Sequence, residues 1–366
     1  MSNKIIKILH TEWSGGWGGQ EIRILSEMAG LKSRGYWVGL AAASHTPIFK
    51  KAKELGYPVF ALGFKGNLDL KTFLGLVKII RAEKIDLVNT HSGKDTWVGG
   101  LAAKFCGAKF IRTRHLSYRT KKISLIHKLA DHIVTTGEAT RQSMIKNKLA
   151  SPENISTIPT RPDENIFNPD LYDKASIKKS LGLSEETVII GIVAFLRRMK
   201  RIDLFLDLAV LIKKNIKNKK IKFMIVGDGP LQEQIKIWIQ EKNLEQDVLC
   251  MGYQEHPESL MACFDIGLLT SDMGEATPQA LSQYLMMGLP VMVTDICHIE
   301  NMRDSLSYQL VPINNLNHWV LTLEKLLDHL PQAQEAARKL RSYVIENYSS
   351  KIMLDKMEEI FQKLLK

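Results

Sequence analysis

From Lys4 onward, apolar runs of strand length alternate with amphipathic stretches of helix length. "KIIKILHT", "WVGLAAAS", "PVFALGF", "DLVNTHS", "KFIRTRH" and the run opening on "HIVTT" predict strands, because each short apolar run ends in polar or turn residues. Between them, "QEIRILSEMAGLKSRG", "PIFKKAKELG", "LKTFLGLVKIIRAEK", "DTWVGGLAAKFCG" and "EATRQSMIKNK" carry helical spacing. In the first of these Ile22, Leu25, Met28, Ala29 and Leu31 share a face, and Gly35 stops the helix. Strands alternating with helices of this length imply a parallel sheet covered on both faces.

The pattern lapses near residues 151–175, where "SPENISTIPTRPDENIFNPDLYD" has four prolines and little periodicity, which predicts a linker. A second alternation follows: "TVIIGIVAFL", "RIDLFLDLAVLIKKN", "IKFMIVGDGP", "LQEQIKIWIQEKN", "DVLCMG", "HPESLMACF", "DIGLLTS", "PQALSQYLMMG" and "LPVMVTD". Two longer helical segments, 316–346 and 349–366, close the chain. The expected fold class is α/β, with two Rossmann-like parallel-sheet domains facing across a cleft. The expected boundaries are 1–165 and 166–346, with a final helix at 347–366 returning toward the first domain.

Composition leaves this picture unchanged; charge adds to it. With 366 residues, 45% hydrophobic and 24% charged, the chain is globular and large enough for two cores. No apolar run reaches the roughly 18 residues that cross a bilayer. "MSNKIIKILH" leads into loop residues, not a signal-peptide cleavage site. Cys106, Cys250, Cys263 and Cys297 form no CxxC pair and are expected to be buried thiols of a reducing compartment, so the expected location is cytoplasmic. Net charge is +11, but residues 1–165 carry +13 and the remainder −2. A one-sided field of this kind suits an anionic partner: nucleic acid, an acidic lipid surface or a phosphorylated acceptor.

In open parallel sheets, ligands bind beyond the carboxyl ends of the strands. There the first strand runs into "SGGWGGQE", whose glycines Gly16, Gly18 and Gly19 let backbone amides approach a ligand. It is neither the dinucleotide fingerprint nor a Walker A loop, so alone it is equally a flexible turn. "VGDGPL" places Gly227 and Gly229 between a strand and a helix. "VAFLRRMKRIDLFL" places Arg197, Arg198, Lys200 and Arg201 at a strand end, the cations a diphosphate needs. In "SDMGEATPQALSQYLMMGLPV", Thr277 is the expected N-cap and Pro278 the first helical residue. That helix start is a natural phosphate site, with Glu275 before it to meet sugar hydroxyls and Gln283 a turn later to meet a ribose.

Taken together, the glycine loop, "TRH", "IPTRPDENIFNP", "LRRMKRID", "VGDGP" and "GEATPQALSQYLMMGLPV" resemble the retaining, nucleotide-sugar-dependent glycosyltransferases of family 4, which have the GT-B architecture. The resemblance implies that Lys200, with Arg197 or Arg198, holds the donor diphosphate and that Glu275, with Ala276 and Thr277, meets the donor sugar. It implies that Gly16, Gly18, Gly19, Gly227 and Gly229 line the donor site, and that His115 sits beside the reacting sugar. On the acceptor side stand His91, at another strand end facing the same cleft, and Arg114 and Arg119 of a basic stretch. Glu275, His115 and Lys200 would carry the chemistry. Where the family has a second glutamate this chain has Gln283, which implies weaker ribose binding, since ionised hydrogen bonds are about twice as strong as neutral ones. Phe195 stands where many members have arginine, and "DICHIEN" replaces a glycine pair while leaving Glu300 in place.

No Asp-x-Asp occurs, so no bridging metal and no resident cofactor are expected, and the leaving diphosphate would be neutralised by Lys200, Arg197 and the helix near Pro278. The resemblance implies transfer of a hexose-type sugar with retention from a UDP- or GDP-linked donor to a glycan or lipid-linked acceptor, as in bacterial surface polysaccharide or lipopolysaccharide synthesis. The basic stretch "RTRHLSYRTKKISLIHKLADH" mixes Arg112, Arg114, Arg119, Lys121, Lys122 and Lys128 with Ile123, Leu125, Ile126 and Leu129. It suits an anionic inner-leaflet surface, hence a peripheral membrane protein, or a phosphorylated glycolipid acceptor, or equally a packed helix with a basic face. The alternatives are a sugar-nucleotide epimerase of the same fold or a basic nucleic-acid-binding protein. The latter lacks any helix-turn-helix, RNP or zinc signature, and no nucleic-acid partner is expected.

Overall fold

Residues 4–115, 125–272, 278–296, 299, 302 and 305–366 are described by a computed structural model. The chain falls into two units, Met1–Arg161 with Ser350–Lys366, and Pro162–Ser349. In the first, β1 (Lys7–Glu12), α1 (Gly19–Ser33), β2 (Trp37–Ala42), α2 (Pro47–Glu54), β3 (Val59–Ala61), α3 (Leu70–Glu83), β4 (Leu87–Thr90), α4 (Gly93–Cys106), β5 (Lys109–Arg114), α5 (Leu125–Leu129), β6 (His132–Thr135), α6 (Glu138–Lys146) and β7 (Ile155–Thr157) follow one another. The seven strands are parallel, in the order β3-β2-β1-β4-β5-β6-β7, so the winding reverses between β1 and β4. Strand alternation sorts the side chains. Ile8, Leu40, Leu87, Ile111 and Val134 pack with Ile24, Met28 and Leu31 of α1; Leu9, Ala41, Val88, Phe110 and Ile133 pack on the other face with Leu76 of α3 and Val98 of α4.

The second unit runs α7 (Lys174–Ser180), β8 (Val188–Val193), α8 (Ile202–Asn215), β9 (Ile221–Val226), α9 (Gln232–Glu241), β10 (Val248–Cys250), α10 (Glu258–Ala262), β11 (Ile266–Leu269), α11 (Gln279–Met286), β12 (Val291–Thr294), β13 (Tyr308–Val311), α12 (Leu316–Asp328) and α13 (Leu330–Tyr348). Its six parallel strands, β10-β9-β8-β11-β12-β13, repeat the same winding, with the reversal between β8 and β11. The last helix, α14 (Ser350–Leu365), belongs to the first unit. It lies so close to α1 that a Cβ on Gly30 would fall 2.2 Å from Leu354 Cδ1. Arg34 Nη1 pairs with Asp355 at 2.7 Å and also with Glu358.

Four expectations need correction. The stretch taken as a linker contains β7 and ends in α7; three strand residues between prolines are too few to show a period. The segment 316–346 is two helices broken at His329, because Pro331 in the first turn of α13 lacks the N–H a continuous helix would use. Helix α11 starts at Gln279, with Pro278 as its extended N-cap residue rather than the first helical one. The cysteines are not uniformly buried: Cys263 is, Cys106 is half-buried, and Cys250 at the end of edge strand β10 is exposed. Cys297 lies outside the described residues.

Candidate active site

At the reversal point of the first sheet, the carboxyl ends of β1, β4 and β5 bring three histidines together. His10 pairs in register with Asn89, and Asn89 with Ile111. His91 lies two residues beyond that row and His115 four, and even offsets keep all three on one face. His10 Nδ1 and His91 Nε2 are 2.9 Å apart, and His91 Nδ1 and His115 Nε2 are 3.0 Å apart. His10 and His91 stack with centroids 5.2 Å apart. Burial pushes the pKa of each ring below the ordinary histidine value, for His91 and His115 well below it; Glu27 opposes this at His10, Arg23 adds to it at all three, and Arg112 adds to it at His91 and His115. On the same face Thr113 Oγ1 donates to Asn89 Oδ1 at 2.8 Å, Asn89 Nδ2 to Glu27 Oε1 at 3.2 Å, and Arg23 Nε to Glu27 Oε2 at 3.2 Å. These residues are buried and bonded to one another, although Arg23 Nη2 and His10 Nε2 find no partner among the described residues.

Just above, Glu12 holds the glycine loop. Its Oε1 accepts from Ser14 N–H at 2.7 Å and Ser92 Oγ at 2.7 Å, and its Oε2 accepts from the amide of Gln20. Asp95 of α4 caps its own helix, accepting from Ser92 N–H at 2.9 Å, and also from His91 N–H at 2.8 Å and Thr11 Oγ1 at 2.9 Å. Burial, then the neighbouring Asp95, raises the Glu12 carboxyl to about 7. The glycines themselves are not required by packing. A Cβ on Gly16 would have ordinary contact with Ser14 Oγ at 3.5 Å, and one on Gly18 with Glu21 Oε2 at 3.8 Å.

The second sheet closes its reversal point differently. After β8 the chain forms a single 3₁₀ turn, Arg198–Lys200, whose Lys200 is only 9% exposed. Thr270 Oγ1 donates to the Lys200 carbonyl at 2.7 Å, fixing this turn to the end of β11. Gly227 and Gly229, at φ +129° and +153°, pack against the segment after β8. A Cβ there would meet the backbone oxygens of Ala194 at 2.0 Å and Leu196 at 2.6 Å. These two glycines have a steric reason that the first loop lacks.

The model of the glycosyl transferases group 1 matches residues 173–346, and that of glycosyltransferase family 4 matches residues 17–161. The chain belongs to glycosyltransferase family 4 and has the GT-B fold. Among its relatives, the Escherichia coli UDP-Gal:alpha-D-GlcNAc-diphosphoundecaprenol alpha-1,3-galactosyltransferase is 25% identical over 311 residues, 80% of this chain and 79% of that one. The Staphylococcus aureus poly(ribitol-phosphate) alpha-N-acetylglucosaminyltransferase is 29% identical over 54% of this chain and 40% of its own length. Of solved folds, a glycosyltransferase from Rickettsia africae superposes with TM-score 0.83 at 20% identity, covering 99% of each chain. Anabaena HepE, solved with UDP, superposes with TM-score 0.82 at 16% identity over 98% of this chain and 100% of its own.

In this glycosyltransferase the expected site residues divide into two groups, one on each unit. His91, His115, Arg114, Gly16, Gly18 and Gly19 lie at the carboxyl edge of the first sheet; Arg197, Lys200, Gly227, Gly229 and Gln283 belong to the second. Gln283 is half-buried on α11, and Arg197 and Arg198 are exposed. Arg201 is paired with Asp203 at 2.8 Å. Glu275, Ala276, Thr277, Arg119 and Glu300 lie outside the described residues. Of the basic stretch, Arg112 is no surface group: it is 6% exposed and donates to the Thr90 and Thr113 carbonyls. Ile126 is core, Leu125 is exposed, and Lys121, Lys122 and Ile123 are not among the described residues. Among the described residues no helix is long and apolar enough to cross a membrane. Sequence reasoning missed His10, Glu12, Glu27 and Asp95. The polar ending "HTE" on an otherwise apolar strand was the available signal for the first two.

Proposed function

We propose that this enzyme moves a hexose-type sugar, with retention and without a bridging metal, from a nucleoside-diphosphate sugar to a glycan or lipid-linked acceptor of bacterial surface-glycan assembly. The named activities of its relatives, one using a UDP-sugar and a diphosphate-linked lipid, support the substrate classes. The carrying observation is Lys200: a lysine only 9% exposed, on a turn pinned by Thr270 where the second sheet reverses its winding. A lysine there is a point charge for the departing diphosphate, assisted by Arg197 and the start of α11 near Pro278. Glu275 and Ala276 would meet the sugar, Gln283 the ribose, and His115 the transferred ring. In the retaining scheme the acceptor hydroxyl attacks on the face that the phosphate leaves, and the phosphate takes its proton. A basic face beside the acceptor would let the enzyme work as a peripheral protein on an anionic membrane surface.

Thermal unfolding with UDP, GDP, ADP and CMP tests this. A nucleotide at a hundred times its dissociation constant adds about 2.7 kcal/mol. One nucleoside diphosphate is expected to shift the melting temperature in the wild type and not in Lys200→Ala. A shift that survives Lys200→Ala removes the lysine from the diphosphate site, and no shift with any of them removes the donor reading. Transfer that proceeds undiminished in EDTA is the matching expectation for the metal.

A further inference from the structure

The three histidines form one hydrogen-bonded line, His10 Nδ1 to His91 Nε2 and His91 Nδ1 to His115 Nε2. Each contact needs one N–H and one bare nitrogen. Three neutral rings therefore have only two concerted settings. In one, every ring carries its hydrogen on Nδ1, so His10 donates to His91, His91 donates to His115, and the Nδ1–H of His115 ends the line. In the other, every hydrogen is on Nε2 and the direction of donation is reversed.

His10 Nε2, at the far end, separates the two. It is buried and has no hydrogen-bond partner among the described residues. The first setting leaves it a bare lone pair; the second makes it an N–H with nothing to donate to. An orphaned buried N–H is the rarer and costlier defect. The facing charges are Arg23 and Glu27 from α1 and Arg112 from β5. Glu27 accepts from Arg23 and Asn89, and neither of its oxygens is within hydrogen-bond distance of His10 Nε2.

We propose that His10 and His91 are positioning residues that hold His115 as its Nδ1–H tautomer, so that His115 meets an oxygen of the transferred sugar as a hydrogen-bond donor and not as a base. This rests on the reading of His115 as the residue beside that sugar. The Nδ1–H form is the less common neutral imidazole tautomer, so a line of rings is needed to impose it. It also fits a reaction in which the leaving phosphate, and no histidine, takes the acceptor's proton.

Long-range proton–nitrogen correlation on the full-length protein labelled with ¹⁵N-histidine separates Nδ1–H, Nε2–H and doubly protonated rings. His115 is assigned by the signal lost in His115→Gln. The expected result near pH 7 is an Nδ1–H pattern; an Nε2–H or imidazolium pattern at His115 overturns the proposal. A variant gives the second arm. His91→Phe removes the donor to His115 Nε2, so the same correlation is expected to show His115 losing its Nδ1–H pattern and the sugar transfer to slow with it. A His115 that stays Nδ1–H in an active His91→Phe enzyme overturns the positioning role. The tautomer is read without substrate. A wild type that transfers no sugar therefore sinks the proposed function alone, whereas an Nε2–H His115 in an active enzyme sinks this inference alone.

Discussion

The two units wind their strands in the same order but finish them in opposite ways. In the first, the carboxyl edge of the sheet buries His10, Glu12, His91 and Arg112 in a bonded network, and the glycine loop above it has room for side chains. In the second, the strands end apolar or hydroxylic, at Val193, Val226, Leu269 and Thr294, and the glycine loop is jammed backbone against backbone. Two glycine-rich turns, one after β1 and one after β9, therefore have different causes. One is needed by the fold; the packing of the fold does not require the other.

The sharpest way to break this contrast is Gly227→Ala. Its Cβ would enter the Ala194 carbonyl oxygen at a backbone angle that favours glycine, and neither neighbour is a side chain that can swing away. A loss of about 3 kcal/mol or more is expected, confined to the second unit in hydrogen exchange. A variant as stable as the wild type would mean the two loops are alike after all.

Acid should separate the units next. His127 and His132, both in the first unit, are pushed down to about 4, chiefly by burial. Between 6.5 and 4 the unfolded chain binds protons at these positions and the folded one does not, so stability falls as pH falls through that window. Each contributes up to about 3 kcal/mol. The described histidines of the second unit, His256, His318 and His329, are exposed. Exchange protection measured from pH 7 to 4.5 should fade first in the first unit, and uniform loss across both would refute the contrast.

Much of this was legible in the chain, and the illegible part has a physical cause. Alternation of apolar runs and amphipathic helices gave two parallel sheets, because burial on both faces makes such strands continuous apolar blocks. The "TRH" and "LRRMKRID" stretches located His115 and Lys200 because they sit where strands end. What periodicity does not carry is pairing in space. His10 and His91 meet only because β1 and β4 are neighbours despite lying far apart in sequence, and Arg112 reads as surface charge until its strand is seen to be central. Likewise Gly227 and Gly16 look alike as letters; only the backbone packed against the former distinguishes them.

Glu12 gives a smaller effect of opposite sign to the histidines. Its carboxyl titrates near 7 in the folded chain against 4.5 as reference. Between these values the folded state keeps a proton that the unfolded state has lost, so stability falls as pH rises through the window and is level above it. The penalty is about 3 kcal/mol at most. Glu12→Gln, which keeps an oxygen for Ser14 and Ser92, removes it. The stability of the variant relative to the wild type should therefore grow between pH 5 and 8 in denaturant titrations. A constant difference would mean that Glu12 is ionised throughout and that the loop is held by an ordinary carboxylate.

Gly16→Ala is expected to change stability least and to say most about the first loop. The position is exposed, its backbone lies outside the left-handed region, and the nearest atom to a new Cβ is Ser14 Oγ at 3.5 Å. Restricting the unfolded chain at such a site is worth about 0.4–1 kcal/mol in favour of the folded state. The melting temperature should hold or rise slightly. If the loop's open face is where substrate backbone contacts form, the same methyl group should raise KM for donor or acceptor by about tenfold, the 1.4 kcal/mol scale of one lost close approach. Unaltered kinetics together with unaltered stability would leave the first loop as a turn that tolerates glycine without needing it, and the difference between the units would then rest on the buried histidines and Glu12 alone.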